Sequence, residues 1–396
     1  MMHATLTQHP VGQGGMMSGL LSVPGGRFHW VYDCGSNQTE ARNREIALLA
    51  AQGGVDCLFL SHLDSDHVNG IDHLLLATRV KEVVLPYLND LDRLIAAAKD
   101  DASGALSGGF LTFLGNIEGW FGERGVERVT FIMPRDDEAE DGGGPEMPRS
   151  DGDGEGTIHA KWWPRPPVYE GGPNNNGALV GRLDTTASLH LSASSGMLDW
   201  LFLPYAHRPS NKKLFAFRQA MSRKFGSRYR GRLKSLLSDP VLRAAVRECY
   251  DLIWSDHNLV SMALYAGPRD SEPWQGECLH HPGWWHYHWH GHAVGWLGTG
   301  DMHLDGARRR KRMLDHYREV LDQVNVFGLP HHGSYLNFHV SLPGTMPRMS
   351  QCVAAAGPNG YGHPHEMVKD VVRSAGRQFV QVSDNGQSVL AWRHSR

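Results

Sequence analysis

The sequence has 396 residues, 41% hydrophobic and 9% aromatic, enough to bury one large or two ordinary cores, which excludes a disordered, collagenous or coiled-coil chain. Lys+Arg 39 against Asp+Glu 42 give a formal net charge of -3, so the global charge implies no polyanionic partner and any basic surface must be local. Cys34, Cys57, Cys249, Cys278 and Cys352 are scattered, with no CxxC pair, which predicts reduced thiols and a reducing compartment. The opening Met1-Met2-His3-Ala4-Thr5 lacks a basic stretch followed by an apolar run, and no long apolar run occurs elsewhere. We therefore expect a cytoplasmic protein with no membrane span.

In chain order, residues 20–35 read as two strands around the turn Pro24-Gly25-Gly26, the second ending in Asp33-Cys34-Gly35. Residues 40–52 read as a helix and 56–60 as a strand; 71–78, 80–86 and 88–98 repeat the pattern as helix, strand and helix. Such alternation predicts a layered α/β sandwich. Residues 136–156 turn to Asp, Glu and Gly with hardly an apolar side chain, and predict an acidic disordered loop. Residues 205–252 concentrate lysine and arginine, including Lys212, Lys213, Arg223 and Lys224, on an apolar spacing of helical period. This basic helical insertion is a candidate phosphate-binding surface. A third insertion, 267–292, contains alternating aromatic and imidazole rings, which predicts a hairpin whose rings pack on one another, since rings alternating on a strand cannot all reach one ion.

The chemistry concentrates behind the 56–60 strand, in Ser61-His62-Leu63-Asp64-Ser65-Asp66-His67-Val68-Asn69-Gly70. Two imidazoles and two carboxylates within six residues, between a strand and a helix, suit hard or borderline divalent ions. A loop that merely caps the next helix explains one aspartate but not both histidines.

This run resembles the HxHxDH signature of the metallo-β-lactamase fold, with Asp64 in place of the middle histidine. The HxDxDH form resembles the metallo-hydrolase domain of ComEC-type DNA-uptake proteins and the phosphorylcholine esterases. Further motifs agree in order: Val11-Gly12-Gln13-Gly14, Asp33-Cys34-Gly35, Thr299-Gly300-Asp301, His331-His332-Gly333-Ser334 and Gly362-His363-Pro364-His365. Gly15 departs from the pattern, because an aspartate is usual there. The resemblance implies a single αββα sandwich over residues 1–396, an α/β fold of four layers with a helical insertion, and two divalent ions, zinc or manganese. His62, Asp64, His257 and Asp301 are expected on the first ion, and Asp66, His67, Asp301 and either His363 or His331 on the second.

Paired ions activate a water without a protein nucleophile. Asp66 is expected to orient that water, and His332 or His365 to protonate the leaving oxygen. The resemblance together with the basic insertion points to a phosphodiesterase on DNA or RNA, with Lys212, Lys213, Arg223, Lys224 and Ser334 as substrate-binding candidates. Two alternatives stand beside it. One is a choline-phosphate or cyclic-nucleotide esterase, with Trp284, Trp285 and Trp289 as an aromatic cage. The other is an effector activated by a partner such as a protease or NTPase of a bacterial antiviral defence system, a setting in which free-standing ComEC-like domains occur.

Overall fold

The computed structural model describes residues 2–104, 107–134, 144–145, 158–172, 175–193, 199–207, 211–251, 260–269, 274–282, 288–291 and 293–396. Among them, two sheets face each other. The first has ten strands in the order His288–Gly291, Trp274–His280, Leu390–Ser395, His3–Gln8, Gly14–Val23, Gly26–Ser36, Val55–Phe59, Val80–Pro86, Arg128–Met133 and Leu179–Asp184. The second has eight: Gln378–Val382, Gln351–Ala355, Val324–Gly328, Gly295–Gly298, Ser261–Pro268, Asp199–His207, Ser188–Ala193 and Ile158–Trp163. The apolar runs expected as strands pair in parallel in the middle of the first sheet, where both faces are covered.

An aromatic core joins the sheets. Phe202 lies 5.3 Å from Phe59 and 5.5 Å from Trp30, and Trp30 lies 5.7 Å from Trp296, measured between ring centroids. Helices cover the outer face of each sheet. Thr39–Ala50, Asp90–Ser103 and Gly108–Gly115 bury apolar residues against Val31, Leu58 and Val83 of the first sheet. Ala307–His316 and Glu366–Ser374 bury Met313, Val368 and Val372 against Leu297 and Phe327 of the second. The result is an α/β sandwich of four layers, αββα.

Helix Asp90–Ser103 extends beyond the expected 88–98. Asn89 accepts from the Leu91 and Asp92 amides at 3.0 and 3.1 Å, and Gly104 at φ 73 ends the helix in a left-handed cap. The added turn carries Lys99. Within the basic insertion, helices Asn211–Phe225, Leu233–Ser238 and Pro240–Asp251 bury Leu214, Phe217, Met221, Leu236, Leu237 and Val246 in the same outer core.

Trp274–His280 pairs antiparallel with His288–Gly291 at a sheet edge. Residues 283–287, with Trp284 and Trp285, lie outside the described residues, as does the acidic stretch 136–156 apart from 144 and 145. Among the described residues, no helix is long and apolar enough to cross a membrane.

Candidate metal centre

Three strand ends deliver the central side chains. Behind Val55–Phe59 come His62 and Asp64, and the short helix Ser65–Val68 presents Asp66 and His67. Asp64 occupies the N-cap position of that helix but makes no side-chain cap hydrogen bond, so its carboxylate is turned to another use. Behind Gly295–Gly298, Gly300 adopts φ +50, and a Cβ there would lie 2.7 Å from both Ser61 Cβ and Ser261 Oγ; glycine lets Asp301 enter the centre. Behind Val324–Gly328, His331 and His332 adopt φ 47 and 56, a left-handed conformation that non-glycine residues rarely take. Neighbours impose it: the His331 amide donates to Gly300 O at 2.9 Å, and His332 Nδ1 meets Ala355 O at 2.9 Å.

The side chains converge on Asp301. Its Oδ2 lies 3.4 Å from His62 Nε2 and 3.4 Å from His331 Nε2, and its Oδ1 lies 3.4 Å from His67 Nε2 and 3.8 Å from His332 Nε2. Asp64 Oδ2 lies 3.4 Å from His62 Nε2, and Asp66 Oδ2 lies 3.5 Å from His332 Nε2. His62, His67 and Asp301 form one group able to hold a metal ion, and Asp66, His67 and His332 form another.

The opposite ring nitrogens decide the tautomers. His67 Nδ1 meets Asp33 Oδ2 at 2.8 Å, while His332 Nδ1 meets a carbonyl; both partners only accept, so both Nδ1 atoms carry hydrogen. Ser61 Oγ donates to Asp33 Oδ2 at 2.7 Å and thus accepts from His62 Nδ1 at 2.7 Å. Asn337 donates from Nδ2 to Asp301 O at 3.1 Å, leaving its Oδ1 to accept from His331 Nδ1 at 3.1 Å. In their neutral form, all four rings therefore aim Nε2 lone pairs at Asp301. His67 and His332 bring theirs within 3.3 Å of each other, so a proton or a metal ion has to be shared between them. An imidazole anchored through its far nitrogen, beside carboxylate oxygens, is the donor set of a divalent metal site.

The charges agree. Burial and the neighbouring His67 press the His62 imidazole down, but the Asp301 and Asp64 carboxylates prevail and raise it to about 9. His67 is likewise raised, with burial opposing and Asp301 and Asp33 prevailing. Burial disfavours ionised Asp66 and Asp301, yet the facing imidazoles hold both carboxyls below the usual range. The pocket thus draws positive charge towards its centre.

Not every candidate lies there. Sequence reasoning expected His331 or His363 beside Asp66 and His67; the structure puts His332 beside them and His331 on the His62 side. The His363 ring is 5.0 Å from that of His331, with its backbone held by Asn359. His365 caps helix Glu366–Ser374, accepting from the Met367 amide at 3.2 Å, and its ring lies tilted 5.4 Å from that of Tyr335 in an exposed position. Ser334 is buried below the histidine turn. Arg223 and Lys224 are exposed, Arg223 contacting Gln219 at 3.2 Å and Lys224 paired with Glu248. Lys212 and Lys213 begin helix Asn211–Phe225, and their side chains, like the whole of His257, lie outside the described residues.

Four contributors escaped sequence reasoning: Asp33, Ser61, Asn337 and Lys99, whose Nζ hydrogen-bonds Asp64 Oδ2. Asp33 also accounts for Gly15. A Cβ at Gly15 would lie 2.9 Å from Asp33 Oδ2 and 2.9 Å from His67 Nδ1, so the Asp33–His67 hydrogen bond fills the space of the usual aspartate.

Residues 18–163, which include the His62–His67 run, match the family model of the metallo-beta-lactamase superfamily. Over that stretch, which is less than half of the chain, the sequence is similar to a metallo-beta-lactamase superfamily domain. Solved structures similar to it include the metallo-beta-lactamase fold protein YhfI from Bacillus subtilis, 9% identical over 99% of each chain with a TM-score of 0.38. The long form of RNase Z from yeast is 10% identical over 83% of this chain and 32% of that one, with a TM-score of 0.28. The metallo-beta-lactamase MIM-1 from Novosphingobium pentaromativorans is 13% identical over 93% and 86%, with a TM-score of 0.27. Likenesses this remote say nothing of substrate. No curated protein matches the sequence. Proteins of the metallo-beta-lactamase superfamily are generally metal-dependent hydrolases, and the His and Asp groups around Asp301 suit that chemistry.

Proposed function

We propose that this protein is a phosphodiesterase acting on DNA or RNA, dependent on two divalent ions, zinc or manganese. The observation that carries the reading is the convergence of four Nε2 atoms on Asp301, with the Asp64 and Asp66 carboxylates beside His62 and His332, one helix away from a basic layer. Helix Pro240–Asp251 packs on Asp90–Ser103, whose Lys99 reaches Asp64. Arg223, Lys224, Arg228, Arg232 and Lys234 of the same layer are exposed, as a surface that follows a phosphate backbone requires. The HxDxDH run, similar to that of the ComEC-type domains, supports the same substrate class.

Bound divalent ions would lower the pKa of a coordinated water and polarise the scissile bond. The chain's own groups do the rest. Asp301 offers one oxygen to the His62–His331 side and the other to the His67–His332 side. Asp33, Ser61, Asn337 and Ala355 O fix the four rings, so that nothing reorganises during reaction. Asp66, with 19% of its side chain exposed, sits where it can accept a hydrogen from the attacking water and orient it. In this arrangement His332 serves as a ligand rather than as the acid.

A second reading, hydrolysis of a small phosphoester, is favoured by a cavity of about 460 Å³ beside the ligand loop, lined by Ser65, Asp100, Phe110, Phe113, Trp120 and Arg124. The test is hydrolysis of labelled single- and double-stranded nucleic acid and of a small aryl phosphodiester by protein loaded with zinc, manganese or magnesium. Nucleic-acid cleavage that Asp301→Ala abolishes is the expected result. Turnover of the small ester alone moves the assignment to the second reading, and no turnover of either overturns both.

A further inference from the structure

The two sides of Asp301 are not equivalent. Helix Asp90–Ser103 brings in Lys99, with 26% of its side chain exposed, and its Nζ bonds Asp64 Oδ2, the oxygen that lies 3.4 Å from His62 Nε2. On the other side, Asp66 Oδ2 faces His332 Nε2 at 3.5 Å. One carboxylate is thus already paired with an ammonium, and the other faces an imidazole nitrogen.

Resting on the reading of this centre as a metal site, we propose that it binds its two ions unequally: tightly at Asp66, His67 and His332, and weakly on the His62 side of Asp301, where Lys99 holds the Asp64 oxygen. The physical reason is competition and repulsion. An ion entering the His62 side needs the oxygen that already accepts from Lys99, and it comes within a few ångströms of a like charge in a partly buried setting. A lysine is a compact, strongly hydrated charge on a flexible stem, so it can leave towards solvent, but only by giving up the pair with Asp64. The same ammonium keeps the Asp64 carboxylate neutralised while the side is empty. Lys99 therefore makes the second ion a conditional one.

The test reads ion binding rather than turnover. Full-length protein stripped with a chelator is titrated with Mn(II), following heat and the signal of free Mn(II). Wild type should show one tight step and a second at least about tenfold weaker. Lys99→Met should tighten the second step by about tenfold or more and leave the first unchanged, whereas Lys99→Arg, which keeps the charge, should titrate like wild type. The unchanged first step also reports that Lys99→Met is folded. Asp66→Asn should remove the tight step and Asp64→Asn the weak one. Two equal steps in wild type, or a second step insensitive to Lys99→Met, overturn the inference. Absence of Mn(II) binding altogether overturns the metal reading beneath it.

Discussion

Asp33 shows how much of this centre depends on groups that touch no candidate ion. It is buried at φ 58, where its two oxygens take the Ser61 amide at 2.7 Å, the Ser61 hydroxyl at 2.7 Å and His67 Nδ1 at 2.8 Å. Asp33→Asn replaces an acceptor with an amide that can turn its NH2 towards His67. We expect metal affinity to fall about 10- to 100-fold, measured by competition with a chromogenic chelator; unchanged affinity would show that His67 needs no anchor. His62, Asp64, Asp66 and His67 were legible in the sequence because they stand within six residues, and Asp301 through its Thr299-Gly300-Asp301 context. Asp33 and Lys99 were not legible as partners, since each meets its contact 34 or 35 residues away, a separation set by strand order rather than by spacing.

At the scale of elements, the alternation of apolar runs with amphipathic stretches made the middle of the first sheet readable, whereas the end of helix Asp90–Ser103 depended on a glycine cap and its packing. The pairing of Trp274–His280 with Leu390–Ser395 joins segments more than a hundred residues apart, and no local pattern announces it. The basic helices yield two expectations. Phe217 is fully buried in helix Asn211–Phe225, so Phe217→Ala should cost about 3–5 kcal/mol in denaturant unfolding, and a loss below 1 kcal/mol would mean that the insertion is not part of the core. Arg228, Arg232 and Lys234 are exposed, so changing all three to Gln should weaken nucleic-acid binding and lower its salt slope by up to about three, while hydrolysis of a small phosphodiester stays unchanged. An unaltered salt slope would place the phosphate contacts elsewhere.

At the scale of the whole molecule, stability depends on histidines buried away from the centre. Burial lowers His29 to about 4, His190 to about 4 and His394 to about 3, with Arg269 adding to the effect at His190. In the unfolded chain each takes a proton near 6.5, so between those limits the unfolded state binds more protons than the folded one. Stability should therefore fall as pH drops from about 6.5 towards 3, seen as a declining denaturation midpoint; a midpoint constant down to pH 4 would contradict these burials. The candidate ligands come from both sheets, so chelation should lower Tm in a manner reversed by added ion.

The most direct test of the central claim pairs metal content with nucleic-acid cleavage for the wild type and Asp301→Ala. The account predicts that wild type retains divalent metal and cleaves, and that the variant, folded by circular dichroism, loses metal and cleavage together. A wild-type protein loaded with metal that cleaves no phosphodiester, or an Asp301→Ala protein that cleaves at the wild-type rate, would contradict it.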